Sequence, residues 1–199
     1  MMNIKLHFDK NKLILFDCFG VFSSAVILPW FLDKFGEKGR EIDAHYCYLA
    51  DRGIITLYEY AKAICDEYSY NVDEVLEEWL NEGIIKTEFI DYIYELKDKG
   101  YVVCLASNAS KGLVEEVFKR NDVPNDLFDH LFISCYMKEA KPDKEFYEMI
   151  LHSFDQKFDE VYMIDDRDVN LVRAKELGIK TIVFTSLNEL KKVFNSERE

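Results

Sequence analysis

LILFDCFGVF, residues 13–22, decides how the chain is read. Four apolar residues run directly into Asp17. An apolar run of this length fits a strand covered on both faces, as in a parallel sheet. Such a strand does not ordinarily end on a bare carboxylate, and the residues that follow, Cys18-Phe19-Gly20-Val21, are too apolar for a solvated loop. An acid pushed out of the end of a core strand needs partners, so the other strand ends have to be found.

Four further runs have the same character: YVVCLA (101–106), HLFISC (130–135), EVYMI (160–164) and KTIVF (180–184). Helical patterns lie between them. In 88–99 the apolar positions Phe89, Ile90, Ile93, Tyr94 and Leu96 recur at three- and four-residue steps before Gly100. In 168–177, Leu171, Val172, Ala174 and Leu177 do the same before Gly178. Pro142 is expected to open a helix over 143–153, where its missing N–H costs nothing. Strands alternating with helices imply an α/β fold with a parallel sheet and right-handed crossovers.

Residues 25–87 read differently, with no convincing strand. TLYE (56–59) is a capping-box pattern, NVDE (71–74) is a weaker start signal, and Gly83 follows the pattern of 72–82. The expectation is a core domain made of 1–24 and 88–199, with three or four helices of 25–87 inserted as a cap. A helical insert after the first strand sits over that strand's C-terminal end, where open α/β sheets bind ligands.

Bulk properties narrow the function. Of the 199 residues 49% are hydrophobic and 15% aromatic, enough for a sizeable core. The net charge of −13 argues against nucleic acid and against an anionic membrane surface. No run approaches the roughly 20 apolar residues of a membrane span. The N-terminal MMNIKLHFDKNK lacks a signal peptide's apolar block, so a cytoplasmic location is expected. Five cysteines without a C-x-x-C pair argue against a disulfide framework or a zinc site. Cys18 reads as packing, since nothing near it in sequence would lower its pKa.

In a parallel sheet the strand ends share one edge. That edge would gather Asp17, Ser107-Asn108, Lys141 and Asp165-Asp166. Three carboxylates in one place repel unless a cation sits among them, and oxygen ligands suit Mg²⁺. With Lys141 and the Ser/Asn donors they would cradle a phosphoryl group, leaving Asp17 to act as a nucleophile.

LILFDCFGVF, CLASNAS, KEAKPDKEFY and VYMIDDRDVNLVRAKELGIKTIVF, in that order, resemble the four motifs of the haloacid dehalogenase-like (HAD) hydrolases. The resemblance spans essentially the whole chain, with 25–87 similar to a cap of the C1 type. It implies a Rossmann-like parallel-sheet core, the HAD fold, with a small helical-bundle cap. It implies a Mg²⁺-dependent phosphatase acting on a small phosphorylated metabolite through an aspartyl-phosphate. Asp17 would be nucleophile and metal ligand. Phe19 would lend a backbone carbonyl to the metal, and Asp165 and Asp166 would complete its site. Ser107, Asn108 and Lys141 would bind the phosphoryl group, and Asn170 would steady the acidic loop.

One position departs from the pattern. Phosphatases resembling this chain usually carry an aspartate two residues after the nucleophile as acid and base, and here that residue is Phe19. Such help is worth roughly 10²–10⁴-fold. The substrate could have a good leaving group, as in an acyl phosphate or sugar-1-phosphate, the reading favoured here. Another group, such as His45 of the cap or water, could replace it, or the site could bind a phosphorylated ligand without turnover. Dehalogenases of the family place an aromatic residue at this position, which makes a halogen-bearing substrate a second enzymatic reading. The paired acids Asp165-Asp166 disfavour it, because without a cation they would be costly. Arg52, in the break ADRGIIT (50–56) between two cap helices, reads equally as a substrate contact or a loop arginine. His45 reads as a helix-face residue, and Arg167 and Asp168 as surface.

Overall fold

The structure is a computed structural model and describes residues 5–196. Five strands, β1 (Lys12–Phe16), β2 (Tyr101–Ser107), β3 (His130–Ile133), β4 (Glu160–Asp165) and β5 (Lys180–Val183), form one sheet in the order β3-β2-β1-β4-β5. Every neighbouring pair is parallel. β1 is the central strand, with Phe16 level with Leu105 of β2 and Ile164 of β4. The Asp17 amide continues that register by donating to the Ile164 carbonyl at 2.9 Å. Asp17 and Asp165 therefore leave the sheet side by side.

The continuous apolar runs of β1, β2 and β4 exist because both faces are covered, whereas β5, at the edge of the sheet, is exposed at both its ends. Side chains alternate across a strand. Leu13 and Leu15 pack with Val102, Cys104 and Met163 beneath α8 (Lys144–His152) and α9 (Asp168–Glu176). Ile14 and Phe16 pack with Val103, Leu105 and Ile164 against α5 (Thr87–Asp98), α6 (Leu113–Arg120) and α10 (Leu187–Ser196).

Residues 25–87 hold four helices: α1 (Leu28–Phe35), α2 (Lys38–Asp51), α3 (Leu57–Tyr68) and α4 (Val72–Glu82). The capping box at α3 forms as its sequence predicts, with the Glu59 amide on Thr56 Oγ1 at 3.2 Å and the Thr56 amide on Glu59 at 2.7 Å. Asn71 caps α4 through the amides of Asp73 and Glu74. Trp30, Phe31, Tyr60 and Trp79 pack ring against ring at the centre of the four helices. This aromatic cluster is continuous with the apolar layer on the sheet.

The two chain crossings between these helices and the sheet are tied together. The Ser24 amide donates to the Ile84 carbonyl at 3.0 Å, and the Ile84 amide to Ser24 Oγ at 2.8 Å. On the far side Arg52 pairs with Asp143, and Lys138 Nζ donates to the Gly53 carbonyl at 3.0 Å. Four helices are thus held over the C-terminal edge of the sheet at both ends.

Two expectations are corrected. The run 130–135 is not strand throughout. β3 stops at Ile133 and α7 (Ser134–Met137) follows, with Ser134 Oγ turned inward to accept the Ala109 amide at 3.0 Å. The helix after Pro142 begins at Lys144, so Pro142 does not occupy its first turn. Asp143 sits at the cap position without capping, because its carboxylate is held by Arg52. Among the described residues no helix is long and apolar enough to cross a membrane.

Candidate active site

Lys141 lies at the centre of the strand-end cluster. Its Nζ is 2.8 Å from Asp17 Oδ1 and 2.7 Å from Asp165 Oδ2, with the side chain removed from solvent. Burial opposes its charge, but the two carboxylates outweigh burial and hold the ammonium above its ordinary range. Asp165 receives three donor groups. Besides Lys141 it accepts the Arg167 amide at 2.9 Å and Asn170 Nδ2 at 2.9 and 3.1 Å. Asn170 is itself held by the Tyr147 hydroxyl on its carbonyl. Asp17 accepts Lys141 and the Cys18 amide on one oxygen, at 2.8 and 2.7 Å. Burial pushes its carboxyl up to about 7, Lys141 opposing and Asp165 adding to the rise.

Asp166 is the exposed member of the group. One oxygen from each of Asp17, Asp165 and Asp166 can be chosen so that all lie within 4.8 Å of one another. The donor set is hard oxygen at a site carrying more negative than positive charge, which suits Mg²⁺. The approach of Asp166 depends on Gly20. Gly20 has φ +94°, and a Cβ there would lie 2.5 Å from Asp166 Oδ2. Only a residue without Cβ lets the acid settle against the nucleophile loop.

At the end of β2 the two expected donors are placed differently. Ser107 is fully buried, with Oγ on the Asn108 carbonyl at 3.4 Å, and is not among the side chains lining the cavity. Asn108 does line it, but its amide is spent on Lys141, with Nδ2 on the carbonyl and Oδ1 on the amide, both at 2.8 Å. That clamp explains how a lysine in a loop is held still. Ser110, two residues beyond Asn108, lines the cavity, is 1% exposed, and has no partner for Oγ among the described residues.

Cap and core enclose a cavity of about 730 Å³, within the range of small-molecule sites. The core side contributes Asp17, Phe19, Lys141 and Asp166. The cap side contributes Tyr60 and, beside it, residues the sequence did not single out: Arg40, Asp43 and Asp51. Tyr60 donates from its hydroxyl to Asp43 Oδ1 at 2.7 Å, and Cys47 Sγ lies 3.2 Å from the same oxygen. Burial raises the Asp43 carboxyl despite these donors. Arg52 borders the cavity, yet its guanidinium is engaged by Asp143 and lies 4.1 Å from the Tyr48 ring. Arg167 borders it too, although its sequence context reads as surface. His45 is exposed against Tyr46 and lies outside the cavity lining. All five cysteines are free, and burial, with Asp17 next to it, drives the Cys18 thiol well above its ordinary range. Cys18 is packing, as its surroundings predict.

Comparison with known proteins agrees with this geometry. The pattern of haloacid dehalogenase-like hydrolases matches residues 12–178. Bifunctional epoxide hydrolase 2 of Sus scrofa is 29% identical over 132 residues, covering 63% of this chain and 24% of its own length. The chain thus spans about a quarter of that relative. A glyceraldehyde 3-phosphate phosphatase of Pyrococcus furiosus is 24% identical over 149 residues, 64% of this chain and 62% of its own. Among solved structures, a HAD family enzyme of Bacteroides thetaiotaomicron superposes with TM-score 0.77 at 23% identity, covering 94% of this chain and 99% of its own. The same enzyme has been crystallised with magnesium and inorganic phosphate.

Proposed function

The chain belongs to the haloacid dehalogenase-like hydrolases, and from that premise we propose that it is a Mg²⁺-dependent phosphatase of a small phosphorylated metabolite. The observation that carries the reading is Lys141 Nζ, buried between Asp17 and Asp165 at 2.8 and 2.7 Å. A lysine so placed opposes the rise that burial imposes on the attacking carboxyl and offers its charge to an arriving phosphoryl group. Asp17, Asp166, Asp165 and the Phe19 carbonyl would hold the Mg²⁺. The ion would supply charge neutralisation for the phosphoryl oxygens.

Asp17 Oδ attacks phosphorus in line and the ester bond breaks. Water then attacks the aspartyl-phosphate, releasing phosphate and restoring the carboxylate. Lys141 and the loop of Asn108–Ser110 orient the phosphoryl oxygens, with the unpartnered Ser110 hydroxyl the free donor there. The cap excludes bulk water, and Arg52, tied to Asp143, sets its closed position. A sugar-1-phosphate or an acyl phosphate fits a nucleophile loop that offers Phe19 in place of a proton carrier.

The test is phosphate release from a panel of acyl phosphates, sugar-1-phosphates and sugar-6-phosphates, with Mg²⁺ and with EDTA. Turnover that requires Mg²⁺ and disappears in Asp17→Asn is expected. Silence across the panel, with chloride released from 2-haloacids in EDTA, would move the protein to the dehalogenase branch. Saturable phosphate binding without turnover would make it a receptor.

A further inference from the structure

Phe19 borders the cavity where a proton carrier would be needed, and a phenyl ring carries none. A leaving alkoxide still has to gain a proton, and the attacking water has to lose one. The core half of the site has no acid free for this. Asp17 attacks, Asp165 is closed by three donor groups, and Asp166 belongs to the metal position. The group must come from the cap.

The cap offers two carboxyls to the cavity, Asp43 and Asp51. Asp43 is already engaged by Tyr60 and Cys47. Asp51 is half-buried, and no hydrogen-bond donor or cation pairs with it among the described residues. It is also the last residue of α2. A carboxylate there meets the negative end of the helix dipole, the unfavourable end for an anion. An unpaired acid kept at the wrong end of a helix and facing a cavity breaks a local rule without structural gain, and such sites tend to be functional.

The surroundings are suited to proton transfer. From α2 it faces Asp43 and Cys47, and just beyond the helix Arg52; from α7, Cys135; from the two sheet-edge loops, Lys141 and Arg167. Burial raises its carboxyl to about 7, Asp43 adding to the rise while Lys141, Arg52 and Arg167 oppose it. A group that titrates near neutral pH can both give and take a proton there.

We propose that Asp51 is the acid–base residue of this site, doing from the cap what Phe19 cannot do from the nucleophile loop. The inference rests on the phosphatase reading. In the first half-reaction Asp17 Oδ bonds to phosphorus and the ester P–O bond breaks. The Asp51 carboxyl gives its proton to the departing oxygen and becomes a carboxylate. In the second, a water oxygen bonds to phosphorus and the Asp17–phosphorus bond breaks. Asp51 takes the water's proton, so both acids return to their starting states. The cap must be seated for this to happen. The Arg52–Asp143 pair, one residue from Asp51, couples proton delivery to closure.

The test is pre-steady-state and steady-state kinetics of Asp51→Asn and Asp51→Glu in the full chain with Mg²⁺. The substrates are p-nitrophenyl phosphate, whose leaving group needs no proton, and a sugar-1-phosphate, whose leaving group does. In Asp51→Asn, kcat falls about 10²-fold or more on both, because water activation is shared. The first-turnover burst of nitrophenolate keeps its wild-type rate, while the first turnover of the sugar phosphate slows. The alkaline decline of activity near pH 7 disappears in Asp51→Asn and returns in Asp51→Glu. A kcat within about threefold of wild type on both substrates overturns the role. So does a first turnover slowed equally on both, which is the mark of a positional defect, and so does the same signature in Asp43→Asn instead. A wild-type protein with no turnover on any phosphate overturns the phosphatase reading itself, and the role of Asp51 with it.

Discussion

Asp165 and Asp51 end their respective elements, one in the sheet and one in the cap, and the fold treats them in opposite ways. Asp165 is fully buried and receives Lys141, Asn170 and the Arg167 amide within 3.1 Å. Asp51 is half-buried and receives no partner among the described residues. The first is an anion fixed in place by donors. The second has a charge the protein does little to stabilise. The site therefore joins an acid of the sheet that donors hold in place to an acid of the cap that has none.

The comparison breaks most visibly at Lys141. Lys141→Met should leave Asp17 and Asp165 buried together without their shared cation. Removing one partner of a buried ionic group costs about 3–5 kcal/mol. Urea unfolding at neutral pH should show that loss, and phosphate release should vanish. A loss under about 1 kcal/mol would mean that the sheet half is less dependent on paired charge than its geometry implies.

Gly20 sharpens the same half. Gly20→Ala places a methyl group 2.5 Å from Asp166 Oδ2, on a backbone at φ +94°. The acid must retreat, and the nucleophile loop is strained as well. Disturbing the groups that position a metal ligand typically weakens binding 10–100-fold, so the Mg²⁺ concentration for half-maximal activity should rise by about that factor. An unchanged Mg²⁺ requirement would remove Asp166 from the metal position. In Asp51→Asn the Mg²⁺ requirement should stay that of wild type, which separates the two halves.

The two halves were unequally legible in the sequence. The sheet half could be read because buried parallel strands are continuous apolar runs, and an acid such as Asp17 or Asp165 at the end of one stands out. Parallel topology then brings the ends together without further information. Lys141 was legible as a residue, but its clamp by Asn108 was not, since an amide folding back on a loop 33 residues away leaves no pattern. Ser107 was assigned the phosphoryl contact because it ends a strand. Its burial and the place of Ser110 in the cavity lining depend on the turn that follows. Asp43 and Asp51 were not legible at all. On α2 they look like acids of a solvated face, and only the docking of that helix over the sheet edge places them in the lining of the cavity that Asp17 also borders. Trp30, Phe31, Tyr60 and Trp79 are buried at the centre of the cap, Tyr48 and Tyr58 are exposed, and Tyr60 also presents its hydroxyl to Asp43.

The smallest effect tests the cap half through stability alone. In the unfolded chain Asp51 ionises near its ordinary value of 3.8, and in the folded chain near about 7. Below both values the carboxyl is protonated in both states and costs nothing. As pH rises between them, the unfolded chain sheds its proton first, so folded stability falls. Above about 7 both states are ionised and the cost is complete. Asp51→Asn removes a group that can ionise, so its stability relative to wild type should climb from pH 4 to pH 8. Water reaches the cavity and screens part of the effect, so a gain of about 1–2 kcal/mol is expected rather than the full linkage. Urea unfolding of both proteins at the two pH values measures it. A gap that does not change between them would mean that Asp51 is as well satisfied as Asp165. The contrast between a fixed anion in the sheet and a titrating acid in the cap would then be lost, whatever the kinetics of Asp51→Asn.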